Sequence, residues 1–310
     1  MKTVFLFPGQ GSQKDGMLHT LPAADPIVKE VFAVAEEVLG ISVLTLDTAE
    51  TLRSTVNVQL CLLIIEVISA KQLLAKGLQP DFVAGHSVGA FSAAVISGVF
   101  SFKEAVQLVL IRGTLMEKAY PEGYGMAAIV GFSLSRLHQY IDQHNAAHHQ
   151  IYLSNINSSD QQVVAGQIES LSVLINTLQQ AGVRKAQLLT IAVPSHCVLM
   201  EPVSIALKAQ MEKLDFMEPA IPYASNHTGR LLKTADAIKE DLWKSVAATV
   251  KWYDATTLIY ELGARLFIEV EPSGVLTKLA AAAFPEAQVA GVEEKNKDTV
   301  VWLWNNHFTG

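Results

Sequence analysis

The sequence predicts an α/β fold, a mainly parallel sheet covered by helices and interrupted by a smaller α+β insertion. Three observations predict it. Short apolar runs alternate with helical periodicities along most of the chain, the pattern of β-α units around a buried sheet. Phe82-Val83-Ala84 reads as a strand, Gly85-His86-Ser87-Val88-Gly89 as a tight turn, and Ala90 to Ile96 as the start of a helix. That is G-x-S-x-G between strand and helix, the context a nucleophile elbow requires. Beyond residue 125 the elements shorten and run β-α-β-β-α-β, the split-βαβ, ferredoxin-like order.

Taken in order, Thr3 to Phe7 is a buried-strand candidate that ends in Pro8-Gly9-Gln10-Gly11-Ser12-Gln13. A polar, glycine-rich turn directly after a strand is where open α/β sheets place ligands. It lacks the G-x-G-x-x-G and Gly-Lys-Ser/Thr spacings, which disfavours a nucleotide phosphate cradle. It is either an ordinary connection or the source of one N–H of an oxyanion hole. The N–H of Val88, after the nucleophile, would be the other. Pro26 to Leu39 has helical periodicity with Gly40 as its stop, and Val58 to Lys76 reads as a buried helix ending at Gly77. Ser101 is a candidate N-cap for a helix from Phe102 to about Tyr120.

Residues 121–125 form a linker into the insertion. Its strands are expected at Met126 to Phe132, Ile151 to Asn155, Gln161 to Ala165 and Lys185 to Ala192. Its helices are expected at Ser133 to His144 and Ile168 to Ala181. The domain division that follows is 1–124 with 193–310 for the large domain, and 125–192 for an insert of roughly 65 residues. After Val193 come helices at Met200 to Leu214, Ala235 to Ala247, Trp252 to Glu261 and Val275 to Ala283. Strands are expected at Ala220 to Asn226 and Leu266 to Val270.

Half of the 310 residues are apolar and 17% are charged, so a large packed core is expected and disorder is not. A net charge of −7 with no basic stripe excludes non-specific nucleic-acid binding, leaving a small molecule or a carrier protein. Cys61 and Cys197 stand far apart, which points to a reducing compartment without a disulfide framework. The apolar start is broken at Pro8-Gly9 too early for a signal peptide, and the apolar run from Val58 to Ala70 contains Glu66 and is short for a bilayer. The expectation is a soluble, cytoplasmic protein with no membrane partner. His144, His148 and His149 have no acid or thiol beside them and read as solvent-facing, so no metal site is expected.

Ser87 is the candidate nucleophile. A serine requires a base, and His196, behind Pro194 where the chain re-enters the large domain, is the candidate. Arg112 lies on an apolar helix, where a guanidinium needs an anion. Either it pairs with a structural Asp or Glu, or its head reaches water, or its planar fork captures a substrate carboxylate.

Together FPGQGSQ at Phe7 to Gln13, GHSVG at Gly85 to Gly89, Arg112-Gly113, VPSH at Val193 to His196 and EVEPSGVLTKL at Glu269 to Leu279 resemble the malonyl-CoA:acyl carrier protein transacylase family. The resemblance covers essentially the whole chain. It implies an α/β-hydrolase-like large domain with a ferredoxin-like small domain, and ping-pong acyl transfer by a Ser–His dyad. Malonyl-CoA would be the donor, with no permanently bound cofactor. Residue by residue it implies Ser87 as acylated nucleophile, His196 as base and Arg112 as carboxylate anchor. The amides of Gln10 and Val88 would form the oxyanion hole, with Asn157 a substrate-binding position of the small domain. Ala90-Phe91 replaces the family's common Glu-Tyr. Lys251, at the position matched to a glutamine that orients the histidine, would leave that task to a main-chain carbonyl. These departures resemble the epsilon subunit of malonate decarboxylase, whose acceptor is that enzyme's own carrier subunit; the alternative acceptor is the acyl carrier protein of fatty-acid synthesis. A serine thioesterase is the rival of a different class.

Overall fold

The computed structural model describes residues 2–120, 122–147, 150–191 and 193–307. Pro121 of the expected linker, His148, His149 and Ala192 lie outside the described residues. Among the described residues ten strands form two sheets. The larger uses β1 (Lys2–Phe7), β2 (Phe82–Gly85), β7 (Tyr223–Ala224), β8 (Leu231–Leu232), β9 (Ala264–Glu269) and β10 (Gln288–Gly291), in the order β10-β9-β1-β2-β7-β8. All its pairings are parallel except β7 with β8. The smaller sheet is antiparallel and uses β3 (Tyr124–Val130), β4 (Ile151–Ile156), β5 (Gln161–Gln167) and β6 (Lys185–Leu188), in the order β4-β5-β3-β6. The protein is thus a mixed α/β fold with a mainly parallel sheet and a small antiparallel one.

Four helices pack around the start of the large sheet: α1 (Pro26–Leu39), α2 (Thr55–Ala75), α3 (Gly89–Ile96) and α4 (Phe102–Ala119). The α2 helix begins three residues before the apolar run suggests, because Ser54 caps it and the Glu117 carboxylate accepts from both the Ser54 hydroxyl and the Val56 N–H. With 21 residues it is long and apolar enough to span a membrane, but it is buried almost all round within the protein. Glu66 does not interrupt it, since burial pushes the carboxyl well above the usual range and keeps it uncharged. The α4 helix starts at a reciprocal capping box between Ser101 and Glu104. The small sheet is covered by α5 (Leu134–Ala146) and α6 (Ile168–Gln180), whose Leu137, Ile141, Leu171 and Leu174 form a separate core.

An isolated bridge ties the small sheet to the segment that precedes helix Trp252–Glu261. Asn155 of β4 bridges to Val250; the Ile156 N–H donates to the Val250 carbonyl (2.9 Å) and the Val250 N–H donates to the Ser154 carbonyl (2.9 Å). This join holds the end of β4 over the carboxyl ends of β1 and β2, which is where the site lies.

Besides the start of α2, further elements differ from expectation; β3 begins at Tyr124, inside the expected linker. The strand expected from 185 to 192 ends at Leu188, and Leu189 and Ile191 line the cleft instead. The strand expected from 220 to 226 is only Tyr223–Ala224, because Ser225, Asn226 and His227 turn to face the buried Asp241. The helix expected to 247 ends at Lys244 and continues as a 3-10 turn, Ser245–Ala247.

Candidate active site

The turn between β2 and α3 is sterically an elbow. A Cβ on Gly85 would run into the Gly89 carbonyl, and one on Gly89 would run into the carbonyls of Phe7 and Pro8. Both glycines therefore follow from backbone approaching backbone. Ser87 between them sits at φ +55°, left-handed backbone that a side-chain-bearing residue adopts only when its surroundings enforce it. His196 is held likewise, at φ +61°.

These two strained residues meet. Ser87 Oγ lies 2.7 Å from His196 Nε2. The other ring nitrogen, Nδ1, lies 2.5 Å from the Ser245 carbonyl, which fixes Nδ1 as the protonated nitrogen and Nε2 as the acceptor. The His196 N–H also donates to the Val246 carbonyl (2.9 Å). The structure thus assigns the imidazole-orienting position to Ser245. Lys251 lies elsewhere, its N–H donating to the Asn226 carbonyl and its own carbonyl accepting from Ala255. His196 is 2% exposed, and burial together with the nearby Arg112 cation pushes its imidazole down to about 3. It is a neutral base at any ordinary pH.

Arg112 is the largest fully buried side chain, 1% exposed. Nη1 donates to Gln59 Oε1 (2.5 Å) and Nη2 donates to Ser87 Oγ (3.2 Å), while Nε has no hydrogen-bond partner among the described residues. Among the described residues no carboxylate forms a salt bridge with it, so the structural ion pair that the sequence left open is not there. Burial pushes the guanidinium down to about 10, still charged at neutral pH.

Around this serine–histidine pair is a cleft whose walls come from both sheets. Gln10, Ser87, Val88, Arg112 and His196 line it on the side of the large sheet, and Asn157 lines it on the side of the small one. Among the described residues no acceptor hydrogen-bonds the N–H of Gln10 or of Val88. Asn157 does not reach the dyad; its Oδ1 lies 3.1 Å from His86 Nε2. Asn155 Nδ2 lies 3.2 Å from the same nitrogen, so the His86 tautomer selects which of the two it bonds. Met126, Val163 and Leu189 give the small-domain wall an apolar face.

Sequence reasoning missed His86, Asn226 and Ser245. His86 offered a signal in standing beside the nucleophile. Asn226 resembles any turn asparagine, and Ser245 acts through a carbonyl that every residue carries.

Among the described residues no three His, Cys, Asp or Glu side chains cluster so as to hold a metal ion. A serine on a strand-to-helix elbow, with its hydroxyl on a buried imidazole in a mixed α/β scaffold, is an arrangement suited to serine-dependent acyl transfer. The chain belongs to the acyl transferase domain family, whose model matches residues 4–307. It is 37% identical over 281 residues to the malonyl CoA-acyl carrier protein transacylase of Escherichia coli K12, covering 89% of this chain and 90% of that protein. The malonyl CoA-acyl carrier protein transacylase of Coxiella burnetii superposes with a TM-score of 0.93 at 30% identity, covering 98% of this chain and 97% of that one. A malonyl-transacylase solved in complex with its type II PKS acyl-carrier protein superposes with a TM-score of 0.92 at 33% identity, covering 99% of this chain and 100% of that one.

Proposed function

We propose that this acyltransferase moves a malonyl group from malonyl-CoA to the prosthetic-group thiol of an acyl carrier protein, through a malonyl ester on Ser87. The observation that carries the reading is Arg112, a buried cation with no carboxylate partner among the described residues, hydrogen-bonded to the nucleophile itself. Such a cation selects an acyl group that brings its own carboxylate.

The steps follow from the atoms in place. His196 Nε2 takes the Ser87 proton as Oγ attacks the thioester carbonyl. The oxyanion is received by the N–H groups of Gln10 and Val88. As the tetrahedral intermediate collapses, the C–S bond breaks and the imidazolium returns its proton to the departing CoA sulfur. The carrier thiol then gives its proton to His196 and attacks the acyl-serine; the C–O bond breaks and Ser87 recovers the proton. Both half-reactions use the same atoms, and no permanently bound cofactor is needed. With Nδ1 held by a carbonyl rather than a carboxylate, the arrangement departs from the Ser–Asp–His hydrolase pattern.

The relatives' names favour acyl carrier protein as acceptor. The carrier subunit of malonate decarboxylase is the second reading, motivated by Ala90-Phe91 after the elbow. Its other motive is Lys251 at the position matched to the family glutamine, although the imidazole Nδ1 lies on the Ser245 carbonyl. Both cysteines are free and buried, in keeping with a cytoplasmic setting. The test is to supply labelled malonyl-CoA with each carrier in turn. Label on acyl carrier protein supports the first reading, label on the decarboxylase subunit alone supports the second, and free malonate with neither carrier loaded overturns both.

A further inference from the structure

The elbow is strained, and something must hold it. The β7 strand pairs with β2 through Val83↔Tyr223 and Ala84↔Ala224, and the backbone ladder stops there. One step further along, the side chain of Asn226 takes the ladder's place. Its Nδ2 donates to the Gly85 carbonyl (2.7 Å) and its Oδ1 accepts the Ser87 N–H (2.9 Å). A carboxamide carries the same donor and acceptor as a peptide unit, so it can close this gap where the parallel backbone has turned away.

Asn226 is itself fixed. It is 2% exposed, and its N–H donates to Oδ2 of the buried Asp241 (3.2 Å). The same carboxylate accepts from the Tyr223 hydroxyl (2.9 Å), the Ser225 hydroxyl (2.5 Å) and the His227 N–H (2.8 Å). Asp241 sits on the helix Ala235–Lys244, and the turn that follows supplies the Ser245 and Val246 carbonyls that hold His196. One continuous stretch therefore grips the base directly and the nucleophile through Asn226. Asn226 does not line the cleft, so it has no place in binding malonyl-CoA.

We propose that Asn226, anchored by Asp241, is a positioning residue that clamps Ser87 in its strained conformation and keeps its hydroxyl on His196. The inference rests on Ser87 being the acylated nucleophile. Without the carboxamide, the Ser87 N–H and the Gly85 carbonyl lose their partner, the left-handed turn relaxes, and Oγ leaves the line of attack. A misplacement of about 1 Å in such a site can slow chemistry ~100-fold while leaving ground-state binding alone.

The experiment is a rapid-quench burst of labelled malonyl-CoA on wild type, Asn226→Ala and Asn226→Asp. Burst amplitude counts folded, reactive sites, and burst rate reports alignment. Asn226→Ala should acylate ~100-fold more slowly at near wild-type amplitude, with the KM for malonyl-CoA changed less than ~3-fold. Asn226→Asp keeps an acceptor for the Ser87 N–H but loses the donor to Gly85, and should be slowed ~10-fold. It decides the matter if the alanine variant does not fold. Wild-type rates in the variants that fold, or lower amplitude at a wild-type rate, overturn the proposal. Absence of a burst from the wild type would instead overturn the malonyl-serine reading.

Discussion

Replacing Arg112 by methionine separates what this residue does for function from what it does for stability. In the free protein it is a buried cation with no carboxylate salt-bridge partner among the described residues, and burial pushes it down to about 10. At pH 7 it is charged both folded and unfolded, so the whole penalty is present, about 3 kcal/mol on the scale of 1.36 kcal/mol per pKa unit. Methionine removes that penalty but leaves Gln59 Oε1 without its donor, which costs about 1–3 kcal/mol. The net effect is a variant as stable as the wild type or up to ~2 kcal/mol more stable. In a domain of this size that is a Tm raised by no more than ~8 °C. Activity moves the other way. Losing the partner of a buried substrate carboxylate costs about 2–5 kcal/mol, so kcat/KM for malonyl-CoA should fall ~30- to ~5000-fold. Acetyl-CoA, with no carboxylate, should lose far less, and the preference between the two should collapse. The assays are thermal denaturation and burst kinetics with both thioesters. A Tm lowered by more than ~5 °C, or an unchanged malonyl preference, would refute the reasoning.

Ser87→Ala should abolish covalent malonyl labelling, read by mass spectrometry of the intact protein; a label elsewhere would move the nucleophile. Gly89→Ala forces a Cβ against the Phe7 and Pro8 carbonyls and should lower stability by more than about 2 kcal/mol in denaturant titration. Lys251→Gln should leave kcat/KM within ~10-fold, since His196 is oriented from Ser245; a larger change would bring the lysine side chain back into the site. Burial and Arg112 hold His196 near 3, so the acid limb of kcat/KM should lie far below the ordinary imidazole value of ~6.5 and move upward in Arg112→Met. Because the folded value is depressed, the stability linked to His196 is complete above ~6.5 and is lost as pH falls towards 3; pH-dependent denaturation reads it.

The elbow was legible because its requirements are written in residue types: glycines where backbones collide, a serine between them, a strand before and a helix after. Arg112 was legible because an arginine on an apolar helix demands an explanation. The succession of strands and helices followed from short apolar runs alternating with longer helical ones such as α2 and α4. Illegible parts have a common cause. The Ser245 carbonyl is a main-chain atom, present at every position, and only the fold aims it. Asn226 stands in Ser-Asn-His-Thr-Gly, which reads as turn chemistry; its role depends on β7 ending two residues earlier. The β8 and β10 strands and the C-terminal helix Lys297–His307 went unread because short edge elements and partly buried helices carry weak periodicity.

The charges around His196 suggest why a dyad suffices here. In a Ser–His–Asp triad a carboxylate behind the imidazole stabilises the imidazolium that forms during attack. Here the atom behind it is a neutral carbonyl, and the nearest cation, Arg112, opposes protonation. A free enzyme so arranged has an aligned but weak base. On the proposed reading, a malonyl carboxylate on Arg112 would cancel that opposing charge inside a buried site, where Coulomb terms are large. His196 would then become a stronger base at the step that needs one. The substrate would supply the negative charge that the protein's own third residue supplies elsewhere, so an acyl group without a carboxylate fails twice, once in binding and once in activating its own attack.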